Sequence, residues 1–223
     1  MPAARAELES LLRARKLDVT LTSAAPWGAG SREIAATGIA SLDALLGGGV
    51  ARGHLSEIVG GRSSGRTTVL CWMLAAAAAR GEAAALIDAG DRFDPASADA
   101  AGVDLSKLLW VRDTGDAARA LKALNLVLQA GGFGLVAFDV SDVPGIALRQ
   151  FPYTTWMRIA RVIEGSQTAA VIVAADHLAR SPGGATIALE AAMDAPRGRW
   201  SGTTNRARLL RALELQPRVV GGR

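Results

Sequence analysis

Nine consecutive residues, Gly60-Gly61-Arg62-Ser63-Ser64-Gly65-Arg66-Thr67-Thr68, mix glycines, hydroxyls and cations between a short apolar run and an alanine-rich one. That spacing suits phosphate binding. Glycines let backbone N–H groups converge on an anion, a helix N-terminus behind them adds positive potential, and a threonine hydroxyl (Thr67) can hold magnesium. Lysine normally stands where this chain has Arg66. Arginine keeps the charge, but its longer planar fork cannot replace lysine inside a ring of amides without moving that ring. The spacing therefore predicts a phosphate loop by descent and leaves two readings open, a nucleotide site and a strand-to-helix turn that has kept its shape without a ligand. A second acid is expected on a neighbouring strand. Gly134 to Asp139 supplies an apolar run ending in Asp139, which can orient magnesium through water.

These residues need a scaffold. Ser41 is read as the cap of a short helix through Leu46, stopped by Gly47, Gly48 and Gly49. Strands are predicted at His54–Val59, Ala83–Asp88, Leu108–Val111, Gly134–Asp139 and Ala169–Ala175. Helices are predicted at Arg66–Arg80, Pro95–Ala101, Asp113–Gln129 and Tyr153–Glu164. Two last β runs, near Ala185–Ala192 and Ala207–Leu215, have no helix between them and are read as an antiparallel pair. Strands alternating with helices predict a three-layer α/β domain with a mostly parallel central sheet and an antiparallel C-terminal extension. Upstream, Leu8, Leu11 and Leu12 mark a narrow helical stripe within residues 4–17, and a Thr/Ser/Ala/Pro/Gly linker follows at 18–36. The division is residues 1–36 as helix and linker, and 37–223 as the core with a basic strand and tail.

Composition narrows the class. The chain has 223 residues, half of them apolar and 21% charged, which is material for one packed domain and excludes general disorder. The longest apolar run, Val69–Ala79, is too short to span a bilayer, and charges among the N-terminal leucines exclude a secretory signal. One cysteine, Cys71, excludes a disulfide framework. The expectation is a cytoplasmic protein with no membrane contact. Net charge is +4, and seven arginines between Arg197 and Arg223 face the single acid Glu214. Such a stretch suits a phosphate backbone or an acidic partner, and equally a solvated edge strand. Trp200, beside Arg197 and Arg199, is the candidate for an exposed contact, whereas Phe151, Tyr153 and Trp156 read as packing. His54 and His177 lie far apart in sequence, with no second metal ligand at helical spacing.

Several segments together resemble the RecA ATPase core. Thr37-Gly38-Ile39-Ala40-Ser41-Leu42-Asp43 resembles its opening, and Gly60–Thr68 looks like its phosphate loop with lysine replaced. Leu86-Ile87-Asp88-Ala89, Phe93-Asp94-Pro95, Ala101-Gly102-Val103-Asp104, Leu108-Leu109 and Asp113-Thr114-Gly115 continue the likeness, which covers roughly residues 37–215. The resemblance implies that Gly60, Ser63, Ser64, Gly65, Arg66, Thr67, Thr68, Asp94 and Asp139 form a vestigial nucleotide site, with Thr67 and Asp139 toward magnesium and Asp94 toward adenine. The acid that activates water in RecA would fall at Gly90, with Asp91 adjacent but offset by one residue. Ser97 stands where an aromatic would stack on the base. Losing the activating carboxylate and the loop lysine together removes nucleophile activation and charge neutralisation from phosphoryl transfer.

The shortened segments extend the same resemblance. The path from Asp139 to Ala169 is shorter than in RecA by about a dozen residues, and the second DNA loop is cut to Asp176–Pro182. RecA's relay glutamine has no counterpart here beyond Asp176 or His177 nearby, and its large C-terminal domain is not expected. In these respects the chain is similar to the ImuA family. That resemblance implies a non-catalytic adaptor of SOS-induced, error-prone translesion synthesis that requires no cofactor. Its implied partners are an ImuB-type polymerase-like protein, an error-prone polymerase subunit and RecA, with weak DNA contact through Arg197–Arg223. Self-association in a ring or short filament is expected from the unpartnered N-terminal stripe. The alternatives are a nucleotide-gated binder that holds ATP and magnesium, and a weak DNA-dependent ATPase with Asp91 or Asp88 recruited as base.

Overall fold

Strands β3 (Leu55–Gly60), β4 (Ala84–Asp88), β6 (Leu135–Asp139) and β7 (Ala169–Ala174) are buried along almost their whole length, which is the pattern of strands covered on both faces. A computed structural model describes residues 33–179, 183–189 and 217–220, together with the backbone of 198–201 and 209–213. The expected helix at 4–17, the linker up to residue 32, residues 180–182 of the shortened loop and most of the arginine-rich stretch lie outside the described residues. The remaining described elements are β1 (Ile34–Ala35), β2 (Val50–Ala51), β5 (Leu108–Arg112), β8 (Thr186–Leu189), β9 (Gly198–Ser201), β10 (Leu209–Leu213) and β11 (Pro217–Val220). Helices are α1 (Ala40–Leu46), α2 (Arg66–Ala79), α3 (Pro95–Ala100), α4 (Ala117–Ala130), α5 (Gly145–Leu148) and α6 (Tyr153–Ile163).

The main sheet runs β11-β8-β3-β7-β6-β4-β5, and every neighbouring pair is parallel except β11 with β8. Alternate residues of one strand serve opposite cores, since successive side chains point to opposite faces. Leu86, Ala137 and Val171 join Leu42, Val69, Leu70 and Leu74 of α1 and α2 in one cluster. Ile87, Phe138 and Ile172 join Leu124, Trp156 and Ile159 of α4 and α6 in the other. This is the three-layer α/β arrangement expected. Trp156 is buried and meets Phe151 edge-on at 6.1 Å, so that aromatic pair is core packing.

Three expectations are corrected. Ser41 does not cap α1. Ile39 occupies the cap position without a side-chain bond, and Asp43 reaches back to accept from the Thr37 amide and hydroxyl, each at 2.8 Å. Helix α4 begins at Ala117, not at Asp113, because Asp116 accepts from the Ala118 and Arg119 amides and stops the chain turning earlier. The last β runs do not pair with each other. β8 enters the main sheet parallel to β3 and takes β11 as its antiparallel partner, while β10 pairs with β9 in a separate two-stranded sheet. Ile187 and Leu189 are buried, which favours the sheet interior for β8. Gly184 permits the insertion, since a Cβ there would lie 1.8 Å from the Leu55 carbonyl oxygen. Paired structure also begins before Thr37: β1, in the segment read as linker, is antiparallel to β2.

Asp113 carries a pH prediction. Arg119 donates to both of its oxygens, at 2.6 and 3.1 Å, and holds the carboxyl at about 2, well below its usual value. A carboxyl lowered on folding stabilises the fold fully above its unfolded value near 4, and that contribution disappears as pH falls through about 2. Asp113→Asn is therefore expected to flatten the decline of the urea midpoint across that window and to lower it at neutral pH.

Candidate nucleotide site

Parallel strands bring their C-terminal ends to one edge of the sheet, and there the chemistry-bearing residues gather. Gly60 ends β3, Asp88 ends β4 and Asp139 ends β6, with Asp88 and Asp139 in register on adjacent strands. The loop from Gly60 turns into α2 through Ser63 and Gly65, both in the left-handed region at φ 59° and 95°. Gly60 is required by close approach, because a Cβ there would meet the Leu189 carbonyl oxygen at 2.5 Å and Ser64 Oγ at 2.6 Å. Helix α2 has no side-chain cap, so its first amides are left to the loop or a ligand.

Two polar atoms of this loop, Ser64 Oγ and Arg66 Nη1, are buried without a hydrogen-bond partner. A buried orphan donor is costly, and an anion at the helix N-terminus would relieve it. Thr67 is exposed at the first turn and Thr68 is half-buried. Burial pushes the Asp139 carboxyl up; the Ser141 hydroxyl and amide pull it back, Asp88 raises it further, and the Arg66 charge opposes that. The residues thus fit a phosphate group. Arg66, Ser64 and the loop amides would hold it, and Thr67 with Asp139 would hold its magnesium, whose chemistry is charge neutralisation.

The carboxylates offered as bases are committed elsewhere. Asp88 accepts from the amides of Gly90, Arg92 and Phe93 and from the Trp110 indole, so both its oxygens organise the loop after β4. Asp91, at φ 52°, is held by a two-pronged bond from Arg112 at 2.7 and 2.9 Å, which lowers its carboxyl below the usual range. Arg112 itself lies 4.6 Å over the Trp110 ring. Asp94 caps α3: the Ser97 hydroxyl and amide both donate to it and lower it. Ser97 therefore binds Asp94 and offers no stacking face.

One site residue escaped the sequence reading. Glu57, in the middle of β3, is buried, and its Oε1 accepts from the amides of Leu178 at 2.8 Å and Ala179 at 2.7 Å. Its Oε2 has no hydrogen-bond partner and lies 3.9 Å from His177 Nδ1. It pins the loop after β7 beside a cavity of about 380 Å³ lined in part by Gly60, Gly61, Asp176 and His177. An acid inside the apolar run Leu55–Val59 was the available signal, since a charge on a buried strand demands partners. Among the described residues no cluster of three or more metal-ligating side chains occurs, and no helix is long and apolar enough to cross a membrane.

A parallel sheet with a glycine loop between β3 and α2, and acids closing β4 and β6, defines a phosphate-loop α/β core. Residues 29–146, more than half of the chain, match the family described as RecA N-terminal domain, and the chain belongs to that family. It is 44% identical over 105 residues to Protein RecA of Clostridium acetobutylicum, covering 46% of this chain and 30% of that protein. It is 40% identical over 109 residues to Protein RecA of Symbiobacterium thermophilum, covering 48% and 31%. The chain thus spans about 30% of the length of these relatives. The crystal structure of the RadB recombinase is similar in fold, with a TM-score of 0.50 and 20% identity over 63% of this chain and 69% of that one.

Proposed function

We propose that this chain is a RecA-derived, non-catalytic adaptor in DNA repair, with the role of the ImuA family in SOS-induced, error-prone translesion synthesis. In this reading it binds an ImuB-type polymerase-like protein and an error-prone polymerase subunit, and acts on RecA. The observation that carries it lies at the end of β4. Glycine occupies position 90, and both neighbouring acids, Asp88 and Asp91, are consumed as structural ligands. Phosphoryl transfer needs a group to position water and a cation to neutralise the transferring phosphate; glycine at position 90 and arginine at position 66 support a reading in which the first is lost and the second altered.

A second reading is favoured by the orphaned Ser64 and Arg66 atoms: a core that holds nucleotide without hydrolysing it and is gated by it. Steady-state phosphate release, with and without single-stranded DNA, tests the adaptor reading. Background rates support it, and ordinary turnover that disappears in Thr67→Ala overturns it. Calorimetry with a non-hydrolysable ATP analogue separates the two readings. Capture of the polymerase-like partner, before and after truncation at residue 196, assigns the arginine-rich stretch to protein or to DNA.

A further inference from the structure

Three loops leave the C-terminal edge of the sheet beside the glycine turn, and one carboxylate draws an arginine from each of two of them. Asp142, in the loop after β6, accepts from Arg62 Nη2 of the loop after β3 at 3.5 Å. Its other oxygen lies 3.8 Å from Arg92 Nε of the loop after β4. The arginine side chains are 88% and 72% exposed, so solvent screens both pairs and each adds little to the fold. Gly90 adjoins the group, since a Cβ there would lie 3.4 Å from Arg92 Cγ and 3.6 Å from Asp142 Cβ. Two cations around one carboxylate thus stand beside the position where the RecA resemblance puts the water-activating acid.

The neighbouring acids do not balance this charge. Asp88 is taken by backbone amides, and Asp91, which also feels Arg92, is held by the two-pronged bond from Arg112. A guanidinium offers five N–H donors in a fork that matches phosphate oxygens, and a carboxylate at 3.5 and 3.8 Å makes poor use of two such forks. Further along the same glycine loop, the buried Ser64 Oγ and Arg66 Nη1 lack partners of their own. Donors for an anion therefore occur both inside the loop and on its rim.

We infer that Arg62 and Arg92 form a clamp for the terminal phosphate of a nucleoside triphosphate, and that Asp142 is the counter-ion that holds the clamp while no nucleotide is bound. This rests on the second reading above, a core that holds nucleotide without hydrolysing it, and specifies the ligand as triphosphate rather than diphosphate. Neither arginine can take a proton from water, so the clamp binds phosphate without supplying the missing base. Filling it releases Asp142 and ties the loops after β3 and β4 through the ligand instead of through the loop after β6.

The test is calorimetry on the full chain with magnesium and either a non-hydrolysable ATP analogue or ADP. The native chain is expected to bind the analogue about tenfold more tightly than ADP. Arg62→Ala combined with Arg92→Ala should bring that ratio close to one by weakening the analogue alone. Asp142→Asn should strengthen the analogue several-fold, because the built-in competitor is gone. Arg161→Ala removes the same charge from the last turn of α6 and should leave the ratio unchanged. The substituted arginines are exposed, and thermal melts verify that the variants fold. Equal affinity of the native chain for the two nucleotides overturns the clamp and leaves the nucleotide reading standing. So does a preference that survives the double substitution, or one that Arg161→Ala flattens equally. Weaker analogue binding in Asp142→Asn overturns the counter-ion role. Binding of neither nucleotide, by the native chain or by Asp142→Asn, overturns the nucleotide reading and the clamp with it.

Discussion

Arg66→Lys combined with Gly90→Glu is expected to raise phosphate release roughly 100-fold or more over the native chain in the presence of single-stranded DNA. Each substitution alone is expected to change the rate by only a few-fold, because water activation and charge neutralisation act on one transition state and are grossly non-additive. Space permits a Cβ at position 90. A Cβ at position 90 would meet Arg92 Cγ at 3.4 Å and Asp142 Cβ at 3.6 Å, which is ordinary contact. Lysine at position 66 would remove the guanidinium nitrogen that lies buried without a partner. The check is a coupled phosphate assay on the native chain, the two single variants, the pair, and the pair with Thr67→Ala. Restored turnover must vanish in the last. A folded double variant that stays at background would show that more than two parts of the machinery are gone.

Glu57→Ala should be the most damaging single change near the site. It strips the acceptor from two backbone amides, Leu178 and Ala179, and leaves a hole inside β3. Buried donors left unsatisfied cost about 1–3 kcal/mol each, so a loss of roughly 3 kcal/mol is expected. For a chain of this size that corresponds to a fall in melting temperature of about 10 °C. Glu57→Gln keeps a carbonyl oxygen facing both amides and is expected to lose only about 1–2 kcal/mol. Hydrogen exchange gives the local readout: Leu178 and Ala179 should lose protection in the alanine variant and retain most of it in the glutamine variant. Equal protection in both would mean that strand pairing, not the carboxylate, holds the loop after β7.

Much of the scaffold was legible from periodicity. The continuous apolar runs ending at Asp88, Asp139 and Ala175 announced buried parallel strands, and the glycines from Gly60 to Gly65 announced a turn into a helix. The end of the chain was harder. Strand β8 and the segment 207–215 look like neighbours in sequence, yet β8 seats itself beside β3 because Gly184 lets the backbone come close enough to Leu55. Helix starts were missed by a few residues at Ser41 and Asp113 for a related reason. Short polar side chains near a helix compete for the same orphan amides, and only the folded geometry shows which of them wins.

The amino-acid order alone determined that a glycine- and hydroxyl-rich turn joins β3 to α2, that arginine stands at position 66, and that no acid stands at position 90. Those are properties of neighbouring residues, and local spacing is sufficient to read them. Only the tertiary structure decided what became of the other acids. Asp91 is claimed by Arg112, which is 21 residues away, and Glu57 by amides more than 120 residues further on. Such pairings depend on which strands lie side by side. Strand order arises when the whole sheet buries its two faces, and no local segment carries that information.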